Sequence, residues 1–347
     1  MRIEAIKQRV GSRRVSNADL LEEVRRLSAP VCRDDLDEIL KQIETNLAFA
    51  GAEERRWLGP GETPIELACD VISRAVEEAG LTGGDIDLII HVGIGRGFIE
   101  PGQAHFLAHA MGWDTQCFDL VDACNGWTRA MFVAQSLLGA GAYRRILIAN
   151  TECNMIPGGV KYPTLFEYDT MAKLVYAFTG LTSADGVAAT IVSAEDEDFA
   201  FRWKPMTTRA DLCVVPLENY QLYSRPSDKV GRNGTGRATS FPTEMDKILK
   251  GSVSELVRAS ARDLSTVRWF IPHGYSWNVW LGVFGRLGVK AEAHKWNTFK
   301  MYGNLASACA PIALALGIEA GEIERGHRIM AVTPSAGMQI STMTFVY

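Results

Sequence analysis

The sequence lacks the features of a membrane, nucleic-acid-binding or disulfide-stabilised protein. Its 347 residues contain no window near the roughly 18 uninterrupted apolar residues of a membrane-spanning helix. Residues 1–7 mix charged and apolar side chains, so they do not resemble a signal peptide. Seven cysteines occur without a C-x-x-C pair, which favours reduced thiols over a disulfide or zinc framework. The net charge of −5 without a long basic run argues against nucleic acid. We expect a cytoplasmic protein without membrane segments.

Helices and strands alternate in an order that occurs twice. Residues 64–93 have the pattern of a helix, a turn and a short apolar strand, and residues 253–274 repeat it. Residues 124–150 and 304–332 each give a further helix followed by a strand. Helices that alternate with buried strands predict an α/β fold with mainly parallel pairing, and one repetition indicates two fused halves.

The two halves are predicted to meet near residue 200. This gives an N-terminal half of residues 1–200 and a C-terminal half of residues 201–347. Residues 201–242 carry many Arg, Asn, Gly and Ser and have little periodicity. We predict that they form a loop-rich excursion over the surface, near the entrance of a substrate site.

Cys124 is the first residue whose sequence context indicates a role in catalysis. It stands in Asp122-Ala123-Cys124-Asn125-Gly126, between a predicted strand and a long predicted helix. A thiol at a helix N-terminus faces unpaired N–H groups and the positive end of the helix dipole, which favour the nucleophilic thiolate. The alternative is a buried structural cysteine.

Two polar residues of the second half complete a candidate site. His273 ends a predicted strand, and parallel α/β folds place their sites at the ends of strands. Asn304 stands at the predicted start of the helix that mirrors the Cys124 helix, so we expect Cys124 and Asn304 to approach each other. A simple helix N-cap is the alternative for Asn304.

These motifs resemble the ketoacyl-acyl-carrier-protein synthase III group of the thiolase superfamily over nearly the whole chain. Asp122-Ala123-Cys124-Asn125-Gly126, Pro272-His273 and Gly303-Asn304-Leu305-Ala306-Ser307-Ala308 follow the family's order and spacing. The resemblance implies a thiolase-like fold, in which two duplicated βαβαβ halves pack as α-β-α-β-α layers. It also implies a homodimer, or alternatively a heterodimer with a homologue.

The resemblance implies a reaction as well. Cys124 would accept an acyl group from acyl-coenzyme A or an acyl carrier protein, with no further cofactor and no metal. His273 and Asn304 would stabilise the carbonyl oxygen of the second substrate during a Claisen condensation that forms a C–C bond. Backbone N–H groups of Cys124 and of the loop with Ala336 and Gly337 would polarise the acyl thioester. The expected setting is secondary or fatty-acid-derived metabolism.

Further residues follow from the resemblance alone. Glu100 resembles the general base of head-to-head condensing enzymes, whose loop enters the partner subunit's acyl tunnel; a solvated loop carboxylate is the alternative. The side chains of Arg55, Arg56 and Trp57 match the position where relatives bind the adenine end of coenzyme A, although surface charge would also explain the two arginines.

Two other functions remain open from the sequence. One is an acyltransferase of the same fold that moves the acyl group to an oxygen or nitrogen nucleophile. The other is a non-catalytic subunit that supports an active homologue. The run His273-Gly274-Tyr275-Ser276 departs from the His-Gln-Ala-Asn run of decarboxylating relatives, which favours a specialised condensation.

Overall fold

The computed structural model describes residues 1–195, 198–217, 219–224, 227, 229 and 238–347. Within these ranges the strands are β1 (Arg2–Val10), β2 (Arg13–Ser16), β3 (Glu54–Trp57), β4 (Leu88–Val92), β5 (Gln116–Leu120), β6 (Arg145–Glu152), β7 (Gly186–Ser193), β8 (Phe199–Pro205), β9 (Cys213–Val214), β10 (Thr239–Ser240), β11 (Trp269–Pro272), β12 (Arg328–Ser335) and β13 (Gln339–Val346). The α-helices are α1 (Asn17–Ser28), α2 (Leu36–Ala50), α3 (Pro64–Glu78), α4 (Gln103–Met111), α5 (Gly126–Gly139), α6 (Leu174–Leu181), α7 (Pro242–Ser260), α8 (Trp277–Arg286), α9 (Phe299–Tyr302) and α10 (Cys309–Glu319). No helix in the described part of the chain is long and apolar enough to span a bilayer.

Helix α3 shows how the local sequence determines where a helix starts and which face of it is buried. The Thr63 hydroxyl accepts a hydrogen bond from the Glu66 backbone N–H, which caps the helix. Pro64 occupies the first turn, where its missing N–H leaves no broken bond. Apolar side chains at helical spacing, among them Leu67 and Val71, are buried against the first sheet. The helix predicted from residue 64 is therefore confirmed.

Two large sheets form the framework. The first has the order β1-β7-β6-β4-β5 and the second has the order β11-β12-β13-β8. Only the pairs β4–β5, β4–β6 and β11–β12 are parallel, and the other neighbours in these sheets are antiparallel. The prediction of mainly parallel pairing is wrong, because β7 returns against both neighbours and β12 and β13 form a hairpin.

The sheets and helices stack in five layers. Helices α5 and α10 lie between the two sheets, where Trp127, Met131 and Leu314 share one core with Ile148 and Ile329 of the strands. Helices α3 and α4 cover the outer face of the first sheet. Helices α7 and α8 cover the outer face of the second sheet. The predicted α-β-α-β-α layering is confirmed.

The excursion predicted over residues 201–242 is partly wrong. Strand β8 occupies Phe199–Pro205 and forms the edge of the second sheet, with the Phe199 ring stacked on Phe345 at 4.9 Å between centroids. Short elements follow, including β9 and β10, and part of the segment lies outside the described residues. The strands of the first sheet come from residues 2–193 and those of the second from residues 199–346. The division of the chain near residue 200 stays a prediction.

Candidate active site

Cys124 lies in a tight turn between β5 and α5. The turn is a 3-10 helix over Ala123–Asn125, and Ala123 adopts a left-handed φ of 47°. This conformation costs an alanine about 1–2 kcal/mol, so surrounding contacts must hold it. The Asn125 N–H donates to Ser335 Oγ at 3.2 Å, and the Ser341 hydroxyl donates to Asn125 Oδ1. The second half of the chain thus fixes the turn that carries Cys124.

A second turn of the same shape faces the first. Ala306 also has a φ of 47°, and a 3-10 helix over Ala306–Ala308 precedes α10. The residue that occupies the position of Cys124 is therefore Ser307. The sequence-based pairing of Cys124 with Asn304 as mirror positions is wrong, because α10 begins at Cys309.

Asn304 lies just before this second turn and stabilises it. Its Oδ1 accepts a hydrogen bond from the Ala306 N–H at 2.9 Å. Its own N–H donates to the Thr182 carbonyl at 2.7 Å, and its carbonyl accepts from the Ala184 N–H at 3.0 Å. Asn304 therefore caps a turn rather than α10, and the paired segment 182–184 fixes its backbone.

One cavity brings the predicted site residues together. It has a volume of about 470 Å³, and Cys124, His273 and Asn304 all line it. Ala336 and Gly337, in the turn between β12 and β13, line it as well. The three polar residues thus converge on one space from both halves of the chain, as expected. The catalytic roles of these residues stay predictions.

Burial governs the chemistry of the Cys124 thiol. Desolvation raises the pKa of Cys124, and the neighbouring Cys213 and Cys309 thiols raise it further. The Lys161 ammonium acts in the opposite direction but does not offset the burial. The expectation that the surroundings favour the thiolate is wrong, because burial of Cys124 favours the protonated thiol.

His273 follows β11 and is held by its backbone. Its N–H donates to the Val332 carbonyl at 2.9 Å, and its carbonyl accepts from Trp280 Nε1 at 2.7 Å. Burial lowers the pKa of His273 from 6.5 to about 4, with a smaller contribution from Lys161. Its Nδ1 has no hydrogen-bond partner among the described residues. At neutral pH the ring is therefore uncharged and has a free polar atom.

Glu100 does not contribute to this cavity within its own chain. It is exposed, on a loop whose Phe98 and Ile99 side chains are 50% and 78% exposed. The base of the loop is fixed by Asp119, which pairs with Arg96 at 3.2 Å and accepts the Gln103 N–H at 2.9 Å. The predicted role of Glu100 needs a second subunit and stays a prediction.

The predicted coenzyme A contact is wrong for two of its three residues. Arg55 is fully buried, and its guanidinium donates to the Val15 carbonyl at 3.3 Å and to Asn17 Oδ1 at 2.8 Å. Trp57 is buried and donates from Nε1 to the Ser183 carbonyl at 3.1 Å. These side chains support β3 and present no surface to a nucleotide. Arg56 is half-buried, and its contact with coenzyme A stays a prediction.

Sequence reasoning missed three residues of the cavity. Lys161, Cys213 and Tyr275 line it together with Cys124 and His273. Lys161 belongs to the long connection between β6 and β7, where no motif or periodicity marks a site. A cavity with two thiols, an imidazole, a carboxamide and an ammonium can bind a polar carbonyl compound and attack it with sulfur. Among the residues described, no group of three or more His, Cys, Asp or Glu side chains could hold a metal.

Sequence comparison finds similarity to synthase III proteins. The family described as 3-oxoacyl-[acyl-carrier-protein (ACP)] synthase III C terminal matches residues 257–347. A beta-ketoacyl-[acyl-carrier-protein] synthase III of Clostridium perfringens is 26% identical over 314 residues, covering 87% of this chain and 90% of that protein. The synthase III of Bartonella tribocorum is 24% identical over 312 residues, covering 87% and 91%.

Solved structures share the fold across its length. OleA of Xanthomonas campestris, crystallised with lauric acid and lauroyl-CoA, superposes with a TM-score of 0.81 at 16% identity, covering 99% of this chain and 98% of that one. The 3-oxoacyl-[acyl-carrier-protein] synthase III of Aquifex aeolicus superposes with a TM-score of 0.77 at 20% identity, covering 99% of each chain. Residues 257–347 therefore match the synthase III family, and the chain as a whole is similar to synthase III proteins and has the same fold as OleA and synthase III.

Proposed function

We propose that this protein is a cytoplasmic, homodimeric acyltransferase that makes a C–C bond by Claisen condensation of acyl thioesters. Cys124 carries the acyl group, and the substrates are thioesters of coenzyme A or of an acyl carrier protein. The observation that carries the proposal is the convergence of Cys124, His273 and Asn304 on one cavity. The similarity to synthase III proteins supports the same chemistry.

The first step transfers the acyl group to sulfur. Cys124 Sγ attacks the thioester carbonyl, a new C–S bond forms, and the carrier leaves as a thiol. Because burial raises the pKa of Cys124, the sulfur must lose its proton as it attacks. The imidazole of His273 is uncharged at neutral pH and can accept that proton and pass it to the leaving thiolate. Backbone N–H groups of Cys124 and of the Ala336–Gly337 turn would stabilise the oxyanion.

The second step joins the acyl group to a carbanion. The carbon next to the carbonyl of a second thioester loses a proton to a base, or loses its carboxylate group as CO2, and the electron pair stays behind as an enolate. His273 and Asn304 stabilise the negative charge on the enolate oxygen. When this carbon loses a proton, Glu100 of the partner subunit is the base that accepts the proton. The carbanion then attacks the acyl carbonyl on Cys124, the new C–C bond forms, and the Cys124 thiolate is released. Donors fixed in advance at a developing oxyanion contribute about 3–4 kcal/mol each.

The test is the product formed by the purified protein. It is incubated with a panel of acyl thioesters, alone and in pairs, and the products are identified by mass spectrometry. A β-ketoacyl product or its ketone supports the proposal, and Cys124→Ala is expected to abolish it. An ester or amide as the product would assign the protein to acyl transfer instead. The Cys213→Ala variant, which removes the other thiol among the described residues that line the cavity, serves as the matched control.

A further inference from the structure

Lys161 gives the cavity a charge that the proposed reaction does not use. Among the described residues that line the cavity, Lys161 is the only Lys, Arg, Asp or Glu. The neighbouring lining is largely apolar and includes Ile94, Leu165, Val214, Met245 and Leu249. A cation in such surroundings is costly unless an anion or several acceptors compensate it.

The protein fixes the Lys161 ammonium without neutralising it. Nζ donates one hydrogen bond to Ser183 Oγ at 2.9 Å. Ser183 pairs with Asn304 in a parallel bridge, so the ammonium is anchored next to a residue of the site. No carboxylate in the described part of the chain lies within 4.0 Å of Lys161 Nζ. An ammonium has three donors, and Ser183 is a neutral acceptor for one of them.

Lys173 shows how the same chain accommodates a lysine that is buried away from the cavity. Its side chain is buried, and Nζ donates to the carbonyls of Thr164 and Glu167. Lys161 instead borders open space within the cavity. Its charge also acts on the reacting groups, because it lowers the pKa of both Cys124 and His273. Lys161 lines the same cavity as Cys124 and His273, so a ligand that fills this cavity from Cys124 can reach the ammonium.

We propose that Lys161 binds a carboxylate carried by the acyl group itself, so that the preferred donors are half-thioesters of dicarboxylic acids. The thioester end reacts with Cys124, while the far carboxylate pairs with the Lys161 ammonium and is retained in the product. The inference rests on the proposed acylation of Cys124. The inference specifies which class of acyl group the protein transfers, and the shape of an apolar cavity alone would not specify this class.

The test compares two donors of equal shape and different charge. Glutaryl and 5-methylhexanoyl have the same branching at the far end, and only glutaryl carries a carboxylate there. Both are presented as N-acetylcysteamine thioesters, which have no phosphate, and the rate of acylation of Cys124 is measured by intact-mass spectrometry. We expect the wild type to prefer glutaryl by about 10- to 100-fold, as for a hydrogen bond to a charged partner. Lys161→Met should remove the preference, Lys161→Arg should retain most of it, and exposed Lys290→Met should leave it unchanged.

Each outcome bears on a separate claim. Equal rates of the wild type with both donors, or an equal loss of both in Lys161→Met, would overturn the inference. A third arm uses 5-methylhexanoyl-coenzyme A; if Lys161→Met slows only this donor, the ammonium binds a carrier phosphate and the inference is wrong. If Lys161→Met does not fold, the preference of the wild type and of Lys161→Arg for glutaryl over 5-methylhexanoyl still tests the inference. Failure of every thioester to load the wild type would refute the proposed function instead.

Discussion

Gly126 gives a direct test of how the two half-folds meet behind the candidate nucleophile. It is the first residue of α5, two positions after Cys124. A Cβ built on Gly126 would overlap severely with Val92 Cγ1 and would lie 3.3 Å from Ser307 Cβ. Val92 is a buried residue of the interior strand β4, and its branched side chain has little freedom to move. Gly126→Ala should therefore displace the turn that carries Cys124.

The cost of this substitution can be estimated. Overpacking of a filled core costs about 1–3 kcal/mol. Val92→Ala alone should cost about 2 kcal/mol through lost burial and a cavity. In the double variant the overlapping methyl group is gone, so the combined loss should fall short of the sum by about 1–2 kcal/mol.

The assay is urea unfolding of the three variants, together with the rate of acylation of Cys124. Gly139→Ala is the matched control, since Gly139 lies in the same helix and a Cβ there meets no atom within 4 Å. It should be neutral or stabilising by up to about 1 kcal/mol. Two results would refute the close packing of Gly126 against Val92. One is a double variant whose loss in free energy of unfolding equals the sum of the two single losses, and the other is a Gly126→Ala variant as stable as Gly139→Ala.

Three other predictions concern charge and proton transfer. Glu100→Gln should leave acylation intact and abolish condensation in a single-turnover assay; loss of both steps, or of neither, would refute its role. Burial lowers the pKa of His273 from 6.5 to about 4, so between pH 6.5 and pH 4 the unfolded chain protonates this imidazole and the folded protein does not. Protonation stabilises the unfolded state, so the free energy of unfolding decreases as the pH falls from 6.5 to 4. Wild type should lose up to about 3 kcal/mol relative to His273→Asn between pH 7 and pH 4 in denaturant titrations, and parallel pH curves would contradict this. Ser307→Ala removes two hydrogen bonds, one donated to the buried Glu152 carboxylate and one accepted from Asn150, and should cost about 2–3 kcal/mol in urea unfolding. As a control, Ser136→Ala at an exposed position should cost no more than about 0.5 kcal/mol. Equal losses of stability in Ser307→Ala and Ser136→Ala would show that the buried hydrogen bonds of Ser307 do not stabilise the fold.

The sequence was sufficient wherever a pattern depends on neighbours along the chain. Helix α3 has its cap, its Pro64 and its apolar spacing within 15 residues, so its start was predicted correctly. The motifs around Cys124, His273 and Asn304 lie at strand ends, and fold topology brings strand ends together. The cavity could therefore be anticipated from its polar residues.

Features that depend on tertiary contacts could not be predicted. The turns at Ala123 and Ala306 use a left-handed backbone that sequence patterns associate with glycine, so Ser307 was not recognised as the mirror of Cys124. The burial of Arg55 depends on distant acceptors, Val15 and Asn17, and an Arg-Arg pair otherwise indicates an exposed surface. The sequence does not indicate strand β8, because only one face of the strand is buried and Arg and Lys interrupt its aromatic residues.

The pKa of Cys124 is another case. A helix N-terminus favours a thiolate, but the largely apolar surroundings that raise the pKa of Cys124 come from residues scattered from position 94 to position 337. Lys161 likewise reaches the cavity through a connection with no recognisable pattern. For Cys124 the local signal exists but is outweighed when distant segments fold around it, and for Lys161 there is no local signal at all.

The central claim is that the sulfur at position 124, and not its neighbour at position 213, accepts the acyl group. The most direct measurement is peptide mapping of the wild-type protein after brief exposure to a reactive acyl thioester. We predict one added acyl group on the peptide that contains Cys124, retained in Cys213→Ala and absent in Cys124→Ala. Acylation that persists in Cys124→Ala, or that maps to Cys213, would contradict the account.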